Sequence, residues 1–165
     1  MGDGDARRQL VLVDGRSGAG KTQWASELAE RSNSALLSLD DLYPGWDGLD
    51  AGSWQAYQRG ILPWAQGRTA RLRTWDWSRG KWGALRDIGP EQSLIVEGCG
   101  ALSRFSAPYA TARYWLEADD EVRKQRALDR DGDTFRPHWL RWALQEDRFY
   151  RLHRSRDLAD SIIRT

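Results

Sequence analysis

Apolar residues arrive along this chain in short unbroken runs, and amphipathic stretches separate them. Residues 9–13 centre on Leu10-Val11-Leu12-Val13, which predicts a strand buried on both faces. Residues 21–31 place Trp24, Ala25, Leu28 and Ala29 at helical spacing. Ala35-Leu36-Leu37-Ser38-Leu39 predicts a second strand ending at Asp40-Asp41, and the turn-rich Tyr43-Pro44-Gly45-Trp46-Asp47-Gly48 follows. Residues 50–66 read as a helix with Ser53 as a candidate cap, kinked or ended by Pro63. Residues 69–76 alternate like a half-exposed strand, and residues 80–88 pair with them as a hairpin around Ser78-Arg79-Gly80. Ser93-Leu94-Ile95-Val96 and Arg113-Tyr114-Trp115-Leu116 predict two more core strands. Helices are expected over 119–129 and 138–152, the latter with Trp139, Trp142, Ala143 and Phe149 able to share a face, and a short last strand over 159–163.

Strands that alternate with helices predict an α/β fold, a three-layer sandwich around a mainly parallel five-stranded sheet. In such sheets ligands bind beyond the carboxyl ends of the strands. Three chemically suggestive segments sit there: residues 15–22 after the first strand, Asp40-Asp41 after the second and Glu97-Gly98 after the third.

The first segment carries the strongest signal. Gly15-Arg16-Ser17-Gly18-Ala19-Gly20-Lys21-Thr22 matches the phosphate-binding pattern G-x-x-x-x-G-K-[ST] without a mismatch. It lies between a predicted strand and a predicted helix, as the pattern requires. Gly15, Ser17, Gly18, Ala19, Gly20, Lys21 and Thr22 are therefore the candidate nucleotide cradle. Backbone amides wrap the polyphosphate, the Lys21 ammonium meets the β and γ phosphates, and the Thr22 hydroxyl meets Mg²⁺.

Three further features bear on the chemistry. Asp40 lies closest to the end of the second strand and is the candidate base for an acceptor hydroxyl, with Asp41 as a substrate-side group; the same pair could instead cap a turn. Leu94-Ile95-Val96-Glu97 is an apolar strand ending in an acid, which makes Glu97 a candidate for anchoring the Mg²⁺ water shell. Arg123, Arg126 and Arg130 share one face of the predicted 119–129 helix and its end, where they can close over transferring phosphates as a lid or lie on a solvated surface.

Composition narrows the reading. The 165 residues suit one domain, and 25 basic against 24 acidic residues argue against a general nucleic-acid or membrane surface. The single cysteine, Cys99, excludes an internal disulfide framework. Residues 1–9 are polar without an apolar core, so no secretory signal is expected, and a soluble cytoplasmic protein is. Ten tryptophans are an unusual number. Trp46, Trp75, Trp77 and Trp82 can either stack on a base or sugar face or pack a hairpin over the sheet.

With these residues in place, the chain resembles the uridine kinase, phosphoribulokinase and pantothenate kinase branch of P-loop kinases. The resemblance runs from Val11 to about Asp160. It rests on Gly15 to Thr22, Leu39-Asp40-Asp41-Leu42-Tyr43, Trp75-Asp76-Trp77, Val96-Glu97-Gly98 and the lid-like helix from Arg123 to Asp131. It implies ATP with Mg²⁺ and phosphorylation of a small-molecule hydroxyl. It also implies substrate contacts from Tyr43, Trp75 and Asp76, and stabilisation of the transferred phosphoryl by Arg126 and Arg130, with Arg123 on the nucleotide. The expected organisation is one kinase-like domain over 1–165, with a Trp-rich substrate-side insertion at about 43–90 and a lid at about 119–136.

Two other readings stay open on sequence. One is a nucleotide-binding accessory or switch protein with weak ATPase activity. The other is a nucleic-acid end kinase, for which Arg68, Arg71 and Arg73 beside Trp75 would form the basic channel. The identity of the acceptor and the oligomeric state are open as well.

Overall fold

The computed structural model describes residues 7–165. The reading of the N-terminus as lacking a signal falls mostly on residues 1–6, outside the described residues. Strand β1 (Leu10–Asp14) runs into the loop and helix α1 (Lys21–Ser32). β2 (Ala35–Ser38) ends in a short 3-10 turn at Leu39–Asp41. A broken helix follows: α2 (Leu49–Gln55), a π-helical stretch Ala56–Ile61, and α3 (Leu62–Ala65). Next come β3 (Ala70–Asp76), β4 (Lys81–Ile88), β5 (Leu94–Glu97), β6 (Ala112–Glu117), α4 (Asp120–Asp131), α5 (Trp139–His153), α6 (Ser155–Leu158) and β7 (Ser161–Arg164).

Five strands form one sheet in the order β2-β5-β1-β6-β7, and every pair in it is parallel. β1 and β5, the most apolar runs, occupy the interior, where both faces are covered and alternation is not needed. The sheet separates two apolar layers. One is centred on Leu10, Leu12, Leu37, Leu94, Val96, Trp142 and Phe149; the other packs Val13, Ile95 and Leu116 against Ala25 and Ala29 of α1. This is the expected α/β sandwich, and its sheet is wholly rather than mainly parallel.

The Trp-rich region adopts its own form. β3 and β4 make an antiparallel hairpin separate from the main sheet, with an irregularity between Arg73 and Trp75. The helix expected over 50–66 exists but carries a π-helical turn ahead of Pro63. Proline lacks the N–H of a regular helical ladder, and the π-helical turn, in which the Leu62 amide bonds back to the Tyr57 carbonyl, comes immediately before Pro63. Among the described residues no helix is long and apolar enough to cross a membrane.

Candidate active site

The carboxyl ends of β1, β2 and β5 converge on one cleft of about 990 Å³. The loop residues Ser17, Gly18, Gly20, Lys21 and Thr22 line its floor, together with Asp40, Glu97, Gly98 and Cys99. Arg126, Ala127, Arg130 and Asp131 of α4 form one wall. Tyr43, Trp46, Trp77, Phe135 and Trp142 form the opposite end.

Glycine conformation shapes the loop. Gly18 has φ +83°, in the left-handed region that other residues avoid. A Cβ there would also collide with the backbone of Arg123, so α4 lies directly against the loop. The Lys21 ammonium is buried and donates to the Arg16 carbonyl at 3.0 Å. Burial opposes its charge, but the acidic groups around it, Cys99, Glu97, Asp14 and Glu146, leave its pKa above the ordinary lysine value.

Thr22 and Glu97 meet as their candidate metal role requires. Thr22 Oγ1 donates to Glu97 Oε1 at 3.2 Å, and Ser38 Oγ donates to the same oxygen at 2.6 Å. Burial holds the Glu97 pKa above its ordinary value despite these donors. Among the described residues no cluster of three or more histidine, cysteine or acidic side chains could hold a metal by itself. A single hydroxyl–carboxylate pair facing a polyphosphate floor fits Mg²⁺, which keeps several waters and borrows phosphate oxygens.

Asp40 is open to solvent at the cleft. The protein packed around its carboxyl still tends to raise its pKa, while Arg130 and Lys21 pull the other way. Asp41 is solvent-exposed and is not among the lining residues. Of the lid arginines, Arg126 and Arg130 line the cleft. Arg126 donates to the Thr165 hydroxyl and backbone oxygen, each at 3.0 Å, and Arg130 pairs with Asp131 at 2.9 Å. Arg123 is buried beneath the loop rather than facing the cleft. It donates to the Ser17 carbonyl at 3.1 Å and to Asp120 at 2.6 Å.

The substrate-side candidates divide. Tyr43 and Trp46 line the cleft; Trp75 and Asp76 do not. Trp75 packs edge-on against Trp82 inside the hairpin, and the Asp76 carboxylate closes its own turn by accepting from the amides of Ser78 and Arg79 and from the Ser78 hydroxyl. Trp77 takes the cleft position, and its indole N–H donates to the Asp40 carbonyl at 2.8 Å. The arginines of the nucleic-acid reading are occupied locally: Arg71 grips Asp87, Arg73 donates to the Gly83 carbonyl, and Arg68 donates to Gln66.

Three residues that support the loop escaped sequence reading. Asp14 is fully buried and accepts from the amides of Gly15, Gly100 and Leu102 and from the Tyr150 hydroxyl. Burial pushes its pKa up to about 6. Glu146 of α5 is buried and accepts from the Ser17 amide at 2.8 Å. Cys99 is buried against Glu146, the Ser17 hydroxyl and the Gly15 carbonyl, and its thiol is pushed up to about 12, mainly by burial. A strand-end Asp14 carries a weak local signal, whereas Glu146 lies 129 residues from its partner and carries none.

Helix α5 grips both ends of the cleft. Gln145 donates to the Trp46 carbonyl at 2.6 Å and accepts from the Leu49 amide, and Arg141 pairs with Asp47. On the adjoining face Glu146 holds Ser17, Asp147 pairs with Arg16 at 2.5 Å, and the Tyr150 hydroxyl reaches Asp14. A second groove, about 960 Å³, lies at the carboxyl end of β6, but most of its arginines are spent in ion pairs with Asp120, Asp157 and Glu117.

The fold has solved counterparts. A protein from Bacillus stearothermophilus described as a possible uridine kinase superposes with a TM-score of 0.65 at 15% identity, covering 96% of this chain and 89% of that one. An uncharacterized protein from Eubacterium ventriosum gives a TM-score of 0.56 at 14% identity, over 95% and 88% of the two chains. A protein from Silicibacter sp., provisionally described as a fructose transport system kinase, gives 0.50 at 19% identity, over 96% and 84%. No family model matches the sequence, and no curated protein matches it. The chain therefore shares the fold of these structures, and the motif resemblance to the uridine kinase-like branch of P-loop kinases agrees with that fold.

Proposed function

We propose that this chain is an ATP-dependent kinase that phosphorylates the hydroxyl of a small molecule. The observation that carries the reading is the convergence of Lys21, Thr22, Glu97 and Asp40 on one cleft walled by Arg126 and Arg130. A loop that only bound and released nucleotide would not need a carboxylate such as Asp40 in the same cleft, between the loop and an aromatic wall.

Mg²⁺ arriving with the nucleotide would be held by Thr22 and Glu97, where it would neutralise charge on the phosphate oxygens. The loop amides bind the polyphosphate, and Lys21 exchanges its contact with the Arg16 carbonyl for phosphate oxygens. Asp40 accepts the acceptor hydroxyl proton; its raised pKa brings it closer to the working range of a general base. Arg126 and Arg130 supply fixed positive charge to the transferring phosphoryl, whose negative charge spreads over its equatorial oxygens. Domain organisation follows from the same reading: one catalytic unit, with the 43–90 segment on the acceptor side and α4 with the residues after it as the lid.

The test is ADP formation from Mg·ATP across a panel of alcohols, with hydrolysis in their absence as the baseline. A kinase shows at least one alcohol that raises turnover above the water-only rate and leaves a phosphorylated product detectable by mass. Mg·ATP binding with no stimulation by any alcohol supports the accessory or switch reading instead.

A further inference from the structure

Helix α5 works on two sides. Its inner side holds Ser17 and the Trp46 carbonyl; its outer side has no element packed on it. Leu140, Leu144, Arg148 and Leu152 follow one another at four-residue intervals, so they form one ridge about 18 Å long. The three leucines are 70%, 60% and 62% exposed. A surface helix ordinarily turns polar residues that way.

The ridge continues into an aromatic strip. α2 runs beside α5 in the same sense: the Leu49 amide donates to Gln145, and Arg148 pairs with Asp50 at 2.9 Å. One turn further on, Trp54 packs against Phe105 at 5.2 Å, and Phe105 meets His153 at 5.9 Å. Tyr57 then links Phe105 to Tyr109, at 5.8 and 6.0 Å. Trp54, Phe105 and Tyr109 are each at least 40% exposed. A single exposed leucine needs no explanation, but a continuous strip of large apolar side chains does.

Area and charge together say what covers it. A whole aromatic side chain presents about 150–250 Å², so the exposed parts of these three rings and three leucines come to roughly 600 Å². That is the upper end of what a monomer leaves open, and most of the about 800 Å² that each partner gives to a standard interface. The border of the ridge carries both signs. Arg141 pairs with Asp47, Arg148 with Asp50 and Arg16 with Asp147, and the exposed Arg151 adds one cation at the rim, where solvent screens it. A nearly balanced border suits a face that meets its own copy about a two-fold axis, where a single-sign border would repel itself. A ridge of residues four apart also packs into the groove beside an identical ridge.

We propose that the outer face of α5 is the interface of a homodimer, with α5 of one copy laid across α5 of the other, Leu144 and Arg148 flanking the two-fold axis, and the Trp54–Phe105–Tyr109 strip extending the contact on either side. The proposal stands apart from the kinase reading. It sets the interface directly behind the cleft of each copy, because the opposite side of the same helix holds Ser17 and the Trp46 carbonyl.

Sedimentation velocity of the full chain between about 1 and about 100 µM tests it. The wild type is expected to sediment as a dimer at the upper concentration. Leu144→Ala should raise the dimer Kd about ten-fold, and Leu144→Glu, which sets two carboxylates near the axis, should leave a monomer with an unchanged circular dichroism spectrum. Leu144→Ala decides the matter if Leu144→Glu loses its helical signal. Leu85→Glu, which charges an exposed leucine on the β4 arm of the hairpin, should dimerise as the wild type does. A wild type that stays monomeric at about 100 µM overturns the proposal. A dimer indifferent to both Leu144 substitutions, or weakened equally by Leu85→Glu, overturns it as well, since the contact then lies on another face. A monomer that instead sediments with phosphatidylcholine–phosphatidylglycerol vesicles assigns the strip to a lipid surface and removes the dimer.

Discussion

The carboxylate of Glu146 accepts a hydrogen bond from the backbone amide of Ser17 at 2.8 Å, while Arg123 donates to the carbonyl of the same residue at 3.1 Å. The two successive peptide groups that meet at Ser17 are thus held, one from α5 through its N–H and the next from α4 through its C=O. The two helices that flank the segment between residues 131 and 139 both set the shape of the loop after β1.

That grip predicts a graded response at position 146. Glu146→Gln keeps an oxygen to accept the Ser17 N–H and should bind Mg·ATP within about three-fold of wild type. Glu146→Ala leaves a buried amide without a partner, a loss of about 1–3 kcal/mol, and should weaken Mg·ATP binding about ten-fold by calorimetry. Equal affinities for the two variants would show that the contact does not shape the loop.

Asp40 is expected to matter for chemistry more than for nucleotide binding. Asp40→Asn should lower kcat by roughly 10²–10⁴-fold, the range of a lost general base, with the KM for ATP within about three-fold of wild type. A parallel loss of ATP affinity and turnover would place Asp40 on the nucleotide rather than on the acceptor.

Gly18 tests the contact between loop and lid helix. Its positive φ and the Arg123 backbone beside it leave no room for a methyl group. Gly18→Ala should therefore lower stability by about 1–3 kcal/mol and weaken Mg·ATP binding at least ten-fold. Gly20→Ala meets a similar φ of +86° but open space, so it should melt closer to wild type. The comparison is read from thermal melts of the two variants side by side.

Asp14 makes stability depend on pH in an uncommon direction. Burial pushes its pKa up from 3.8 to about 6, so between those values the folded chain holds more protons than the unfolded one. Its contribution is fully present near pH 4 and is lost as pH rises through about 6, with an upper limit of about 3 kcal/mol. Glu146 and Glu97, both raised chiefly by burial, act in the same direction. His153 opposes them. Burial, then Arg104, holds its pKa below the ordinary value, so it costs stability as pH falls through the imidazole range. The decisive readout is accordingly the gap in stability between wild type and Asp14→Asn, which should narrow from pH 4 to pH 7. A gap of constant size across that interval would sink the assignment.

Much of the site was legible along the chain because its parts are local. The run Gly15 to Thr22 needs only a strand before it and a helix after it to become a phosphate cradle, and both are encoded by neighbouring residues. Glu97 and Asp40 were legible because strand ends in parallel sheets all open on one edge. The aromatic residues were not legible in this way. Trp75 lies in β3 and Trp77 two positions on, just past the strand's end, where a two-residue period carried one step further would put them on the same face. The turn closed by Asp76 carries Trp77 over to Asp40, while Trp75 stays with Trp82. Arg123 shares a helical face with Arg126 and Arg130, yet it is buried because Gly18 lets α4 close down on the loop.

By itself the sequence determined the alternation of strands and helices, the glycine-rich loop between β1 and α1 and the acids at the strand ends, since each depends on spacing within a dozen residues. Tertiary structure alone decided that β5 and β1 lie side by side in the middle of the sheet, that Trp77 rather than Trp75 meets the cleft, and that α5 holds the segment at Trp46 and the loop at Ser17 together. Those arrangements join residues 37 to 129 positions apart. Contacts at such separations are selected by the packing of the whole core and leave no periodic trace in the local order of residues.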